Sequence, residues 1–279
     1  MRLFFINLFL LNALIGFCQV DLFFPLNNEF DWARIEKQNR GIKEKLLKNL
    51  PAEFELNRYD YDETDLHVID FNGDGLDDVV FNGHLAGSEL LYIVIFINRG
   101  ESFEKIFTEH QEFHKIVFDN GKATQLYIHN GGCCCDYVLI NKIYTIEYTF
   151  NQPQIKLISQ MRYPNIGIEE YPDCYFERPV KFEVLNDRYN IRLSPVIDDV
   201  TESSYCGEIR AGNSLGKIKS GSIGYALAEK SDSTGRVWWF VALCSDSEIY
   251  ESIYYDCDNT QNDYKLGWIS SKYAKRVDE

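Results

Sequence analysis

A short polar segment between two apolar runs, residues 70–78, contains the side chains that are best suited to binding a cation. With Asp70 counted as position 1, positions 3, 5, 7 and 9 are Asn72, Asp74, Leu76 and Asp78. Side-chain oxygens at alternate positions, with one backbone carbonyl at Leu76, are the ligands that Ca²⁺ prefers, whereas Zn²⁺ prefers nitrogen and sulfur. Gly75, at position 6, permits the sharp bend that such a loop needs. The spacing therefore predicts a Ca²⁺ site.

The flanks of this segment decide which kind of calcium loop it is. Position 12 is Phe81, where an EF-hand carries a bidentate glutamate, and apolar strand-forming residues stand in place of the EF-hand helices. The segment resembles the calcium turn of FG-GAP and VCBS-type repeats, which bridges two strands in extracellular binding or adhesion proteins. The resemblance implies a structural Ca²⁺ bound at about 10⁻⁴–10⁻³ M, because one ligand position is missing. A polar turn that binds no ion is the alternative.

The cysteines form a second group with possible chemistry. Seven of the eight follow Cys18 and are disulfide candidates: Cys133, Cys134, Cys135, Cys174, Cys206, Cys244 and Cys257. An odd number leaves at least one thiol free or paired outside the chain. We expect one cysteine of the triplet to pair with Cys174, and Cys244 to pair with Cys257. A thiolate site for Zn²⁺ or Cu⁺ is the alternative, although the usual C-x-x-C spacing is missing.

The histidines do not form a recognisable catalytic motif. His110 and His114 lie in "HQEFH", which differs from the H-E-x-x-H of zinc proteases because its Glu comes one position too late. We interpret both as surface residues. The other histidines, His67, His84 and His129, lie singly, and the sequence contains neither a nucleophile elbow nor a nucleotide-binding loop. The sequence therefore does not predict an enzyme.

The N-terminus and the net charge limit the location and the partners. Residues 1–18 combine one basic residue with an apolar run too short to span a membrane, which predicts a signal peptide and export to the periplasm or the extracellular space. Lipid attachment at Cys18 is less favoured, because Phe17 occupies a position that requires a small residue. The net charge of −15 argues against nucleic acid as a partner. No later stretch predicts an integral membrane segment.

Periodicity predicts a mainly β fold. Apolar residues at helical spacing between Trp32 and Leu50 indicate an N-terminal amphipathic helix. From residue 66 onward, alternating apolar strands separated by Asn-Gly and similar turns indicate an antiparallel β-meander or sandwich. We expect the helix and this sheet to form a calcium-turn domain over residues 19–195, followed by a polar linker over residues 196–205.

The C-terminal part combines basic residues, glycines and aromatic residues, at Arg210, Gly212, Lys219, Gly221, Trp238, Trp239, Gly267, Trp268, Ile269 and Tyr273. This set, and above all the ending "GWISSKY", resembles a bacterial SH3-like (SH3b) domain. The resemblance implies a small β-barrel over residues 206–279 that binds cell-wall peptides or other extended peptides. Two features depart from the family pattern. Asn213 occupies the usual position of a proline, and an acidic, tyrosine-rich insertion spans residues 244–264.

A peptide groove in such a barrel would be lined by aromatic side chains. The candidates are Trp239, Tyr250, Tyr254, Tyr255, Tyr264 and Trp268. Each of them can equally serve for packing. The expected partner is a peptide or peptidoglycan-like ligand, or an envelope protein.

These features together predict an exported, non-enzymatic binding or adaptor protein with a structural Ca²⁺ site and an SH3-like module. Two alternatives stay open. One is a cell-envelope enzyme or enzyme inhibitor whose site no motif reveals, which clustering of His84, His129 and Cys135 would favour. The other is a thiol-based metal-handling protein that uses the triplet at 133–135.

Overall fold

The structure is a computed structural model that describes residues 32–37, 39–49, 63–84, 91–129, 138–164, 171–205, 208–244, 246–254 and 263–277. The α-helix of this part of the chain, α1, is Arg40–Lys48. Short 3₁₀-helices lie at Trp32–Arg34, Glu63–Asp65 and Ser271–Tyr273. Strands β1 to β18 are, in order, Leu66–Ile69, Asp78–His84, Leu91–Asn98, Phe103–Glu109, Glu112–Asp119, Lys122–His129, Val138–Thr149, Gln152–Pro164, Val180–Val184, Tyr189–Arg192, Glu202–Tyr205, Glu208–Ala211, Ser214–Ile218, Ile223–Ser231, Val237–Leu243, Ile249–Tyr250, Asp263–Ser270 and Ala274–Arg276. The predicted mainly β class is confirmed. Among the described residues, no helix is both long and apolar enough to cross a membrane.

The first sheet contains β1 to β4, which pair antiparallel in chain order. Its strand β3 is buried on both faces because alternate side chains enter different core clusters. Ile93 and Ile95 pack in the cluster shared with the second sheet, whereas Val94 and Phe96 pack in the cluster beneath α1. Leu46 of α1 is fully buried in the latter cluster. The first sheet therefore lies between α1 and the second sheet.

The helix is shorter than the sequence pattern predicts. It begins at Arg40, while Trp32–Arg34 forms a separate 3₁₀-helix and Leu50 lies outside the described residues. Between the two helices, the backbone N–H of Lys37 donates to the carbonyl of Val68 at 2.7 Å. This hydrogen bond to the edge strand β1 takes the place of the intrahelical bond that a continuous helix would need at Lys37.

The second sheet connects the middle of the chain to its C-terminal part. Its main strand order is β18-β9-β14-β15-β17-β8-β7-β6-β5, and β10, β13 and β16 attach beside this path. Strands β5 to β8 form an antiparallel meander, and β8 then pairs in parallel with β17 through residues 160–162 and 263–265. The two faces of the sheet carry separate core clusters. One contains Leu126 and contacts the first sheet, and the other contains Tyr127 and Trp268.

The predicted linker at residues 196–205 does not separate two sets of paired strands. Strands β9 and β10 precede it, yet β9 pairs with β14 and β18, and β10 pairs with β13 and β17. Phe182 and Val184 of β9 pack with Trp239 and Ile269 in one core cluster. The interval itself contains β11, which forms a hairpin with β12. The C-terminal set of strands therefore begins at β9, because the apolar side chains of β9 pack in the core of the C-terminal strands.

Candidate functional site

The acidic turn, residues 70–78, connects the antiparallel strands β1 and β2. Its first carboxylate closes the loop. Oδ1 of Asp70 accepts the backbone N–H of Gly73 at 2.9 Å, and Oδ2 accepts the backbone N–H of Gly75 at 3.2 Å. Gly75 has a φ of +87°, a left-handed conformation that glycine adopts without strain. The chain therefore bends at the glycine that the sequence indicates.

Asn72 and Asp74 form a second set of hydrogen bonds within the acidic turn. The Asn72 side-chain amide donates to Oδ2 of Asp74 at 2.9 Å, and the backbone N–H of Asp74 donates to Oδ1 of Asn72 at 3.0 Å. Oδ1 of Asp74 accepts the backbone N–H of Leu76 at 2.8 Å. Asn72 is buried, whereas the Leu76 side chain is exposed. The turn itself therefore holds these two polar side chains in contact.

Asp78 is buried completely, with 0% of its surface exposed. Its Oδ2 accepts the backbone N–H of Phe71 at 2.9 Å, and its Oδ1 accepts that of Asn98 at 2.8 Å. Burial raises the pKa of the Asp78 carboxyl to about 7, although these backbone hydrogen bonds oppose the shift. The negative charge of Asp74 raises the same pKa further. The Asp78 side chain thus joins the start of β2 to the turn and to the end of β3.

Asp77, which the sequence did not single out, connects the acidic turn to the N-terminal segment. Nζ of Lys37 lies 2.7 Å from its Oδ1, and the Asn39 amide donates to its Oδ2 at 2.6 Å. The hydrogen bond to Asp77 raises the pKa of Lys37, and the charges of Asp70 and Asp78 also raise it. Because Lys37 precedes Asp77 by 40 residues, no local sequence signal could have indicated this contact.

Phe71 and Tyr148 connect the acidic turn to the second sheet. Phe71 is fully buried, and its carbonyl accepts the backbone N–H of Ala123 at 2.9 Å and the Tyr148 hydroxyl at 3.1 Å. A Cβ atom at Gly73 would lie only 2.9 Å from the carbonyl oxygen of Gly121. The close approach of the turn to the second sheet therefore requires glycine at position 73.

The carboxylate oxygens of the acidic turn keep lone pairs beyond those used in its hydrogen bonds. An ionised carboxylate has about four lone-pair sites, so it can accept one N–H at each oxygen and still coordinate Ca²⁺. In Asp70, Asp74 and Asp78, each carboxylate oxygen accepts an N–H group. Within the described ranges, no group of three or more His, Cys, Asp or Glu side chains is arranged to hold a metal ion. The Ca²⁺ site therefore stays a prediction, and hydrogen bonds of the turn itself are sufficient to close it.

Most of the aromatic residues predicted to line a groove are core residues. Four of them are buried: Trp239, Tyr254, Tyr264 and Trp268. Strands β15 and β17 use both faces for packing, so Trp268 enters the core cluster on one face of the second sheet while Trp239 enters the cluster on the other. Groove lining is therefore a wrong interpretation for these four. Tyr250 is half-buried with the Arg188 guanidinium 5.3 Å from its ring centre, and Tyr255 lies outside the described residues.

Two of the candidate cysteines lie in the described part of the chain. Cys174 is exposed and Cys244 is half-buried, and both are free thiols there. Burial raises the pKa of Cys244, and the charge of Asp246 adds to this effect, so Cys244 is a protonated and weakly reactive thiol near neutral pH. The triplet at 133–135, Cys206 and Cys257 lie outside the described residues. The disulfide pairings therefore stay predictions.

The histidines of "HQEFH" lie in different elements. His110 is exposed in the turn before β5, with its ring centre 4.0 Å from that of Tyr92, whereas His114 lies in β5 and is half-buried. His114 is thus less exposed than His110, although β5 lies at the end of the strand order of the second sheet. Strand and turn cannot present the two rings on one helical face, which a zinc-protease motif requires.

A second polar cluster, which the sequence did not indicate, lies on the second sheet. It consists of His129 on β6, Asn141 on β7 and Tyr163 on β8, and we call it the His129 cluster. The atoms His129 Nδ1, Asn141 Oδ1 and Tyr163 Oη lie 2.6 Å from one another. Strand pairing alone brings the three residues together. Clustering of His84, His129 and Cys135 would favour an enzyme. His84 lies at the end of β2, and Cys135 lies outside the described residues.

Comparison of the chain with protein-family models, curated proteins and solved structures finds no match. The resemblances to FG-GAP repeats and to SH3-like domains therefore stay predictions.

Proposed function

We propose that this chain is an exported, non-enzymatic binding or adaptor protein. A structural Ca²⁺ stabilises its acidic turn, and a C-terminal SH3-like barrel contacts a peptide or cell-wall ligand. The observation that carries the proposal is the set of oxygen-bearing side chains held around one bend: Asp70, Asn72, Asp74 and Asp78. Because this bend packs against the second sheet, a cation bound there would stabilise the contact between the two sheets.

The charge balance of the acidic turn supports a cation. Residues 70–78 contain four carboxylates, of which Asp70, Asp74 and Asp78 are proposed ligands, and a divalent ion among these three would offset their mutual repulsion. The Lys37 ammonium contributes one positive charge, but it pairs with Asp77, which is not one of the proposed ligands. When bound, Ca²⁺ would supply charge neutralisation and a fixed bend. The ligands would be the four side chains named above and the carbonyl of Leu76.

The C-terminal strand order supports the SH3-like part of the proposal. Strands β9, β14, β15 and β17 follow one another, and β18 comes after the 3₁₀-helix Ser271–Tyr273 and returns to pair with β9. Short strands that curl back onto the first strand in this way form small barrels. "GWISSKY" spans the end of β17 and this 3₁₀-helix. A Cβ atom at Gly267 would lie 2.6 Å from the Ile191 side chain, so glycine lets β10 cross β17 closely.

The connection between β10 and β13 offers an exposed apolar surface, which the buried aromatic residues do not. Its exposed apolar residues are Val196, Ile197, Val200 and Ile209. Arg192 holds the connection in place, because its guanidinium donates to the Asp198 carbonyl at 3.1 Å and to Oδ1 of Asn213 at 2.8 Å. A contiguous exposed apolar patch marks an interaction site, and these four residues lie within one short stretch of the chain, residues 196–209. We therefore assign the ligand contact to this connection.

Thermal melting of the purified protein in chelator and in increasing Ca²⁺ tests the calcium part. Because Ca²⁺ would bind the folded state, we expect the Tm to rise once free Ca²⁺ exceeds the Kd. Asp74→Ala should abolish this rise. Asp173→Ala, which removes an exposed carboxylate outside the turn, should leave it intact. A Tm that is the same with chelator and with millimolar Ca²⁺ would remove calcium from the proposal.

Co-sedimentation with purified peptidoglycan tests the ligand part. The double variant Val200→Ser and Ile209→Ser removes two of the most exposed apolar side chains of the β10–β13 connection, and we expect it to lose most of the retention. Phe150→Ser is the matched control, because Phe150 is 97% exposed but lies in the β7–β8 turn. Equal retention of all three proteins would contradict the assignment.

A further inference from the structure

The β11–β12 hairpin forms a small sheet of its own within the β10–β13 connection. Among the described residues, β11 and β12 pair only with each other. Each strand therefore has one paired side and one open edge. Lysine, proline or a bulge usually protects an edge strand, but β11 contains neither residue and its register shows no shift. A two-stranded hairpin is only marginally stable by itself, so a third strand would also stabilise it.

The register of the hairpin determines which backbone groups lie at the open edge of β11. The backbone N–H of Gly212 donates to the carbonyl of Thr201 at 2.9 Å, one position beyond the paired residues of β11. Hydrogen-bonded and non-hydrogen-bonded pairs alternate in an antiparallel ladder, so the N–H and C=O groups of Glu202 and Ser204 point away from β12. Both residues are exposed, and so is Ser203 between them. Within the described ranges, the edge of β11 is therefore accessible to a third strand.

The charge around this edge is negative. Residues 193–209 contain four carboxylates and no lysine, arginine or histidine. Arg192, which precedes this stretch, is only 5% exposed and lies 2.8 Å from the Asp199 carboxylate. A basic segment is therefore attracted to the edge. An acidic segment is repelled, and so is a second copy of this chain, whose net charge is −15.

Exposed apolar side chains lie beside β11. Val200, two residues before the strand, is 81% exposed, and Ile209 of β12 is 72% exposed. Ile209 pairs with Ser204, so the two side chains lie on the same face of the hairpin, and Glu202 shares that face because alternate residues of a strand do so. Since Ser204 is small, a large apolar side chain on an added strand would extend over it towards Ile209. One face of the hairpin therefore offers both a carboxylate and an apolar contact.

The start of β11 is held in place before any ligand binds. Oδ1 of Asp198 accepts the backbone N–H groups of Val200 at 3.1 Å and Thr201 at 2.9 Å. The Asp198 carbonyl accepts the backbone N–H of Asn213 at 2.9 Å. An edge that is already ordered lowers the entropy cost of binding a strand.

We propose that the open edge of β11 binds an extended peptide on which basic and apolar side chains alternate along one face. This inference rests on the proposed function, since it names the partner class for the contact assigned to the β10–β13 connection, a polypeptide strand. The peptide adds as a third, antiparallel strand through the N–H and C=O groups of Glu202 and Ser204. A basic side chain then lies opposite Glu202, and an apolar side chain lies opposite Ser204.

The probe is a fluorescently labelled peptide, Lys-Thr-Leu-Thr-Lys-Thr-Leu, because its lysines and leucines alternate on one face when it is extended. Fluorescence anisotropy with the full chain measures its affinity. We expect the counterpart with glutamate in place of lysine to bind at least tenfold more weakly. Affinity for the lysine peptide should fall several-fold between about 0.05 M and about 0.3 M NaCl, because salt screens surface charges. Equal binding of the two peptides would overturn the proposal.

Proline substitutions and a modified peptide test the addition of a strand. Ser204→Pro removes an outward N–H from β11 and should weaken binding at least fivefold. Ala211→Pro is the matched control, because it removes an outward N–H from the other strand of the hairpin and should leave the affinity unchanged. N-methylation of the peptide leucines, which leaves the protein unaltered, should also weaken binding at least fivefold. Wild-type affinity for the N-methylated peptide would overturn the strand addition.

Glu202→Lys tests the charge at the edge. We expect it to weaken binding of the lysine peptide about three- to tenfold and to strengthen binding of the glutamate peptide. Asp173→Lys makes the same charge change at an exposed position elsewhere and should alter neither affinity. Equal effects of the two variants would show that the net charge of the chain, and not the edge of β11, selects the peptide.

Peptidoglycan co-sedimentation separates this inference from the proposed function. Binding of the lysine peptide that Ser204→Pro weakens, without retention on peptidoglycan, would support the inference and remove the cell-wall ligand. Retention on peptidoglycan that the double variant Val200→Ser and Ile209→Ser loses, without binding of either peptide, would overturn the inference and keep the assigned contact.

Discussion

The backbone N–H of Asn98, the last residue of β3, donates to Oδ1 of Asp78, the first residue of β2, at 2.8 Å in a fully buried position. The Asn98 side chain extends this link. Its amide donates to the Asp77 carbonyl at 3.1 Å, and its Oδ1 accepts the backbone N–H of Gly100 at 3.0 Å. Two strand ends and the acidic turn therefore share one hydrogen-bonded network.

Asp78→Asn should destabilise the protein by about 1–3 kcal/mol, because the new amide group can accept only one of the two buried backbone N–H groups and leaves the other unpaired. Asp77→Asn is the neighbouring control. The Asp77 carboxylate pairs with the partly exposed Lys37, so its loss should cost less than about 1 kcal/mol. Urea denaturation in the presence of chelator gives both values. Equal losses for the two variants would contradict the role assigned to Asp78.

His67 should make stability depend on pH. Its ring stacks on Trp32 at 3.8 Å, and burial lowers its pKa below 6.5, although the Glu36 carboxylate opposes the shift. The unfolded chain therefore takes up a proton more readily than the folded protein, so stability falls as the pH falls from about 6.5 towards the folded-state pKa. Below that lower pKa the loss is complete.

Denaturation of the wild type and of His67→Gln at pH 7.5 and pH 5.5 measures this dependence. The variant loses the Trp32 stack at both pH values, but it should show a smaller loss of stability on acidification than the wild type. His84→Gln, which changes an exposed side chain, should keep the wild-type difference. If His67→Gln loses as much stability on acidification as the wild type does, the pH dependence comes from other groups.

Arg162 and Asp263 should couple the two halves of the second sheet. Nε of Arg162 donates to Oδ2 of Asp263 at 2.7 Å across the parallel pair β8–β17, and both side chains are less than a tenth exposed. Asp263→Ala removes the carboxylate that pairs with the buried Arg162 guanidinium and should cost about 3–5 kcal/mol. The double variant Arg162→Met and Asp263→Leu should be much closer to the wild type. Strictly additive losses in the double-mutant cycle would show that the ion pair is not coupled.

Trp268 should contribute to stability and not directly to ligand contact. It is 0% exposed and packs with Phe240, whose ring centre lies 5.2 Å away. Trp268→Ala should therefore lower the free energy of unfolding by about 3–5 kcal/mol. Tyr250→Ala, at a half-buried position of the same region, should cost much less. A Trp268→Ala protein that keeps its stability but loses peptidoglycan retention would restore Trp268 to the ligand surface.

The alternation of apolar residues was sufficient to predict the mainly β class and the meander of β5 to β8. It could not place β9 correctly. The strand lies before the polar residues 196–205, and only the core shared by Phe182 and Trp239 assigns it to the C-terminal set. Alternation shows that a side chain is buried, but not which distant strand covers it.

The acidic turn is formed by residues that are close in the sequence, whereas the His129 cluster is formed by residues on three different strands. The Asp70 carboxylate accepts the backbone N–H groups of Gly73 and Gly75, all within six residues, so the local spacing alone indicates this bend. His129, Asn141 and Tyr163 meet only because β6, β7 and β8 pair in a particular register. The sequence by itself therefore determined the chemistry of the local turn, while the tertiary structure decided which distant polar groups share a site. The physical reason is that hydrogen-bonded strand pairing joins residues that the backbone separates, and no local pattern encodes that choice of partner.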